Sequence, residues 1–447
     1  MAPFGSSLPA SQRRRLPPGR GHSREEAAEN QRARLASALI ELGYEHTGWR
    51  ELCERAKLSK ETLYRHYPGG VHDCFMAVCS ELSDALVDRV AAAWMDGEQP
   101  GQRLALAVGR FAATIAEEPA AARLALCEPA AAGSGAIRQR QAVEARVQRL
   151  LLAGLEGEGI EPAPVAVQAM LAGLGAIARA RLLAGRQREL SDQAGELGRW
   201  ACLCLAAPPP ADQKASRAVF RPSERLLSKA GHAGEPVRMR IEAATLALAA
   251  EHGYSALEDR AIRERAHVSC AEFGEHFDSE HAAFMAALGS VCGDALAHAI
   301  NAGQNAGQWP RSVIAATRTL LSCVGCDETF ARLLLIEMPA AGGGRGARDR
   351  LRLLCGVARM LRTRTPHRAQ PSLLALEASI VACWEIAHRH STHTGHDQLA
   401  ALAPTISFIV LAPAIGVQAA REVLGAQAPR WTLQPPKARR AQPASTA

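Results

Sequence analysis

The sequence predicts an all-α protein built from two tandem copies of one helical unit. Three observations carry this expectation. Alanine and leucine dominate an apolar content of 48%, aromatic residues make up only 4% of the 447 residues, and β-branched runs are scarce, a composition that favours helix. Apolar residues recur at helical spacing, as at Leu104, Val108, Phe111 and Ile115, which marks packed helix faces. A segment near the start, residues 31–78, returns as residues 238–285, and regular self-similarity of this kind signals duplication.

The first copy reads QRARLASALIELGYEHTGWRELCERAKLSKETLYRHYPGGVHDCFMAV. Leu35, Leu39 and Leu42 line one face of a first helix, which Gly43 ends. Thr47 is expected to cap a second short helix, with Leu52 and Ala56 facing inward. Lys57 and Leu58 make a turn, and Ser59 caps a third helix from Lys60 to His66. Two short capped helices around a tight turn, with Gly48 at the start and Tyr67 at the end, form a helix-turn-helix, which presents its second helix to a DNA major groove.

The string Gly43-Tyr44, Leu52-Cys53, Ala56-Lys57-Leu58-Ser59, Thr62-Leu63-Tyr64-Arg65-His66-Tyr67 resembles the DNA-binding domain of TetR-type (tetracycline-repressor-like) regulators. It departs from the family pattern at Lys57, where glycine is preferred, and at Val71, where a lysine is usual after the Pro-Gly-Gly insert. The resemblance implies a double-stranded DNA operator as partner. It also implies a DNA-binding set of Thr47, Ser59, Lys60, Thr62, Tyr64, Arg65 and His66, and a helical regulatory bundle that takes a small-molecule effector.

Shifting the first copy by 210 residues aligns the second without a gap: Gly43-Tyr44 falls on Gly253-Tyr254, Ser59 on Ser269, His66 on His276, and ten of the 35 pairs between 33–67 and 243–277 are identical. A one-residue slip then matches Phe75 to Phe284. The second helix-turn-helix, from Glu258 to Phe277, offers Ser269, Cys270, Glu272 and His276 as a weaker site. Ser269 and Glu272 have capping-box spacing, and Gly274 stands where the first copy has Tyr64. Residues 31–75 hold seven basic and six acidic residues, whereas residues 238–285 hold five and nine. Lysine and arginine supply non-specific DNA affinity by neutralising phosphates, so the leading copy is expected to grip DNA and the trailing one to bind weakly or act structurally.

The expected organisation is a disordered basic arm (1–22, with Arg13, Arg14, Arg15 and Arg20), helix-turn-helix domain 1 (23–75), regulatory bundle 1 (76–206), a linker around Pro208-Pro209-Pro210 (207–235), a degenerate helix-turn-helix domain 2 (236–285), bundle 2 (286–425) and a disordered tail (426–447). Family members act as two-fold dimers, so one chain is expected to fold as an intrachain pseudo-dimer, tethering replacing bimolecular assembly; further self-association is left open. Helices over residues 73–94 and 281–302 would link each reading head to its bundle.

The net charge of +7 suits a DNA-binding protein. The first sixteen residues lack the apolar run of a signal peptide, and the twelve cysteines read as buried thiols of a reducing, cytoplasmic compartment. The apolar run over residues 399–420 is broken by Pro404 and Pro413 and reads as packed helices rather than a span. Cys323-x-x-Cys326 reads as ordinary helix-end cysteines. His388, His390, His393 and His396 read as a polar loop between helices, and residues 342–346 as a glycine-rich loop. Trp94, Phe111, Trp200, Phe330, Trp384 and Phe408 read as core rather than pocket lining. No catalytic constellation is present, so no enzyme activity, cofactor or metal is expected. The function expected is a DNA-binding transcriptional regulator, a repressor released by an effector. The alternative is a sensor or interaction scaffold of the same fold with weak or lost DNA binding.

Overall fold

Glycines and caps set the helix boundaries. The computed structural model describes residues 20–45, 47–211, 220–228, 234–341, 344–427, 431 and 433. Every regular element among the described residues is helical. Most of the expected basic arm and C-terminal tail, and linker residues 212–219 and 229–233, lie outside the described residues.

The chain divides into two compact units. Unit 1 draws on residues 1–88 and 117–143. It holds α1 (Arg20–Leu42), α2 (Trp49–Ala56), α3 (Lys60–His66), most of α4 (Val71–Met95), α6 (Pro119–Leu126) and the start of α7 (Ser134–Glu156). Leu35, Leu39, Leu52, Leu63 and Phe75 are fully buried at its centre. Leu35, Leu39 and Leu52 hold the inner positions that the helical spacing assigns them, whereas Leu42, expected on the same face, is 42% exposed at the end of α1. The backbone N–H of Tyr44 donates to Glu128 Oε2 at 2.6 Å, which ties the turn after α1 to the segment following α6.

Unit 2 holds the remainder: α5 (Pro100–Glu117, up to Ala116), α8 (Pro164–Leu183), α9 (Glu189–Leu205), α10 (Pro222–Leu227), α11 (Val237–His252), α12 (Asp259–Ala266), α13 (Cys270–His276), α14 (Glu280–Gln304), α15 (Trp309–Cys326), α16 (Glu328–Arg332), α17 (Met338–Ala340), α18 (Gly344–Arg364), α19 (Leu373–Thr394), α20 (Ala403–Ile415) and α21 (Val417–Leu424). Helix α8 packs on α19 and α9 packs on α20. Gly173 sits at the closest approach, where an added Cβ would lie 3.0 Å from the Ala378 carbonyl oxygen and closer still to the Trp200 ring. Trp200 Nε1 donates to Ser379 Oγ at 3.0 Å, and Ser379 Oγ donates to the Ile409 carbonyl at 3.0 Å. The backbone N–H of Ala211 donates to the Ala401 carbonyl at 2.9 Å.

Several expectations need correction. Thr47 does not cap α2: its hydroxyl donates back to the Gly43 carbonyl, and Gly48 occupies the cap position without a side-chain bond. One residue of extra turn before the helix moves the hydroxyl off its N-terminus. The histidines 388, 390 and 393 lie within α19, which runs to Thr394, and not in a loop; Gly395, at φ 100°, ends the helix. Gly344 and Gly346 belong to α18, whereas Gly342 and Gly343 lie outside the described residues. The segment between the halves contains a helix, α10, anchored where Ser223 donates from its backbone N–H and its hydroxyl to the Asp327 carboxylate at 2.8 and 2.6 Å.

Three helical stretches, Pro164–Leu183, Glu280–Gln304 and His396–Ile415, are long and apolar enough to cross a membrane by length and composition. Between 44% and 72% of each apolar window is buried within the fold, so much of that apolarity serves helix packing.

Candidate nucleic-acid interface and effector cavity

Each helix-turn-helix is built by the same local devices. Gly43 and Gly253 end the first helix at φ 79° and 83°. The turn between the two short helices passes through a left-handed residue, Lys57 at φ 53° and His267 at φ 52°. Ser59 accepts from the Thr62 backbone N–H at 3.2 Å, and Ser269 accepts from Glu272 in the same way, here within a full capping box. Arg55 pairs with Glu41, as Arg265 does with Glu251. Tyr44 Oη lies 3.3 Å from His72 Nδ1, and Tyr254 Oη 2.8 Å from His281 Nδ1.

The exposed faces differ. In unit 1, Lys60, Tyr64 and Arg65 are exposed on α3, and Arg50 is exposed at the start of α2. Lys60 Nζ lies 4.7 Å from the Trp49 ring centroid and 5.7 Å from that of Tyr64, and the Arg50 guanidinium lies 5.3 Å from the Trp49 centroid. Cations over aromatic faces are held near the surface without losing their charge. Gly70, at φ 69°, keeps the space beside this face open: a Cβ there would sit 3.3 Å from the Tyr64 ring.

Three members of the expected set are not on this face as free readers. Thr62 is buried at 8% exposure beneath the Ser59 cap. His66 is half-buried, with Nε2 2.9 Å from Gln31 Oε1. Burial first, then Arg32 and Arg65, hold its imidazole below the ordinary value. Ser59 serves as the cap. Trp49 and Arg50 were not foreseen; the only signal was an aromatic-arginine pair beside the Thr47-Gly48 helix start.

In the trailing copy the corresponding face carries Cys270, Gly274 and Glu275, all exposed. Most of its arginines are engaged by acids, Arg260 with Glu264 at 2.7 Å, Arg263 with Asp259 at 2.9 Å and Arg238 with Glu242 at 3.0 Å, while Arg240 Nη1 donates to the Ala266 and His267 carbonyls at 3.2 Å. Glu272 is held below the usual carboxylate range by the backbone N–H and then the hydroxyl of Ser269. His276 is exposed on the same helix.

Unit 2 also holds a partly open pocket of about 390 Å³ between α14, α15, α18, α19 and α20. Its wall is apolar apart from a few groups, with Leu296, Trp309, Phe330, Trp384 and Ile406 among the lining residues. Gln304 and Arg364 supply polar groups to that wall. Phe330 and Trp384 therefore line a pocket, whereas Trp200 and Phe408 are core. Among the described residues, no three histidine, cysteine or acidic side chains are grouped to hold a metal ion. Burial pushes the Cys323 thiol up to about 11 and those of Cys202, Cys292 and Cys383 to about 12, so these remain protonated, inert thiols.

No family model matches the chain. It is 35% identical over 100 residues to the HTH-type transcriptional repressors KstR of Mycolicibacterium smegmatis and of Mycobacterium tuberculosis, a match covering 21% of this chain and 48% and 44% of theirs. The chain spans about half the length of the curated relatives it matches. Two solved structures align with parts of this chain at a TM-score of 0.35: the fatty acid degradation regulator FadR of Bacillus halodurans, 15% identical, over 40% of this chain and 97% of that one, and FadR of Bacillus subtilis in complex with stearoyl-CoA, 11% identical, over 38% and 96%.

Proposed function

We propose that this protein is a DNA-binding transcriptional repressor released by a small apolar effector. The observation that carries the reading is the exposed cationic-aromatic face of unit 1, formed by Trp49, Arg50, Lys60, Tyr64 and Arg65 on a helix-turn-helix whose second helix is capped by Ser59. Free lysine and arginine at such a face neutralise phosphates, and the side chains of α3 read base edges in the major groove. The trailing copy, with most of its arginines engaged by acids, has a supporting role.

The shared local devices of the two helix-turn-helices and the packing of α8 and α9 on α19 and α20 support a duplicated chain closed as a pseudo-dimer. The apolar cavity of the trailing bundle is the effector site. An effector acts there by binding the DNA-released state more tightly than the DNA-bound one, which is all that allosteric release requires. The protein works in the cytoplasm.

Titration of the purified chain onto DNA flanking its own coding sequence, at about 50 and 200 mM salt, tests the reading. Specific binding that weakens steeply with salt is expected. Absence of salt-dependent binding to that DNA would leave the alternative of a sensor or scaffold, which the valine at position 71 and the acidic trailing copy favour.

A further inference from the structure

The seam between the two halves carries buried charge of opposite sign on its two sides. Arg179 and Arg181 project from α8, each little exposed at 12% and 13%. Glu377 and Glu385 face them from α19, both at 8%. Arg179 Nη2 lies 3.4 Å from Glu385 Oε1, and Arg181 Nη2 lies 3.5 Å from Glu377 Oε2. Arg350 of α18 adds a second cation 3.5 Å from Glu385. A further pair crosses between the halves, Arg389 of α19 with Glu144 of α7.

Helix α8 begins at Pro164 as α19 begins at Leu373. In that register the two helices have diverged in a complementary way. Where α19 has Glu377 and Glu385, α8 has Gln168 and Ala176; where α8 has Arg179 and Arg181, α19 has His388 and His390. Arg389 matches Ala180, and Glu144 matches Leu353 or Leu354 of α18. None of these ion pairs would form between two identical halves.

We propose that this charge pattern is a pairing code: the leading half's seam accepts a trailing half and refuses a second leading half, so that the chain closes on itself. The inference rests on the pseudo-dimer reading given above. Two leading halves face to face would set Arg179 against Ala176 and Arg181 against Gln168. Two trailing halves would bury Glu377 and Glu385 against His390 and His388. In these wrong pairings Arg181 keeps Glu189 of its own half and Glu385 keeps Arg350; a buried charge that loses a partner across a seam is destabilising, and such penalties are how helix interfaces exclude wrong partners. Trp200, Ser379 and Gly173 supply the packing of the observed seam; the charges add the choice.

The test uses the full chain and reads mass and melting, not DNA binding, so its failure is distinct from failure of the repressor reading. Three variants are compared by light scattering and thermal melting: R179E/R181E, E377R/E385R, and the fourfold exchange carrying both pairs of substitutions. Wild type is expected to be a monomer. Each double variant is expected to melt about 5–10 °C lower, and the fourfold exchange to regain most of that loss as a monomer. Mixing the two double variants brings Glu-bearing leading seams against Arg-bearing trailing seams, and a one-to-one complex of twice the monomer mass is expected. The code is overturned if the double variants melt as wild type, if the fourfold exchange gives no recovery, or if the mixture forms no complex beyond those of its components.

Discussion

The Lys60 ammonium rests 4.7 Å above the Trp49 ring centroid, joining the first residue of α3 to the first residue of α2. Two helix starts are thus linked by one contact on the exposed face of the turn. Lys60→Ala is expected to weaken operator binding across all sequences and to reduce the salt slope of log K by about 1, the signature of one lost phosphate contact. Trp49→Ala removes the platform but no charge, so it is expected to lower affinity less and to leave the salt slope unchanged. Anisotropy titrations at several salt concentrations distinguish the two. Glu275→Ala on the trailing helix is expected to leave operator affinity intact.

Lys57 holds the left-handed turn at φ 53°, a conformation that costs a non-glycine residue about 1–2 kcal/mol. Glycine there relieves that strain but adds freedom to the unfolded chain, at about 0.5–1 kcal/mol. Lys57→Gly is therefore expected to raise stability by roughly 0.5 kcal/mol, read as a higher denaturant midpoint at unchanged m-value. The lysine side chain is exposed, so a fall in DNA affinity alongside the gain would show that it contributes charge as well as a turn.

His66 is held below the ordinary imidazole value, first by burial and then by Arg32 and Arg65. The unfolded chain binds this proton more readily than the folded one, so stability is complete above the ordinary value and falls as pH drops through it. Melting of the protein is expected to fall between about pH 7 and pH 5, and His66→Gln to flatten that slope. At neutral pH the ring is uncharged and adds nothing to phosphate attraction.

The trailing cavity is lined on α15 by Ala316 and on α19 by Ala387. Filling it with Ala316→Phe is expected to abolish uptake of an apolar fluorescent probe while the protein still melts cooperatively. Competition of the effector with that probe then reads the site directly. DNA binding by this variant should persist and no longer respond to effector.

The sequence disclosed more of the reading head than of the bundles. Ser59, Ser269 and the glycines at 43 and 253 act through neighbours a few residues away, so their spacing announces the caps and stops that the structure contains. Thr47 shows the limit of that approach, because a shift of one residue at a helix start turns a cap into a turn bond. Thr62 and His66 lie on the reading helix by sequence, but which side faces inward depends on α1, whose Gln31 holds His66. The cavity was invisible for a different reason. An apolar wall residue such as Phe330 has the same composition and spacing as a core residue, and only the gap left between five helices separates them. The ion pairs of the seam join residues some 196 and 206 positions apart, a separation no local pattern reports.

Because α8 and α19 belong to one polypeptide, closure of their seam is a first-order event. Dilution does not undo it. Occupancy of an operator should then rise in proportion to the number of chains in the cell rather than with its square, as it would for a protein that must first find a second copy. A cell with few molecules would retain graded control, and two variants of the gene expressed together would not form mixed, crippled assemblies.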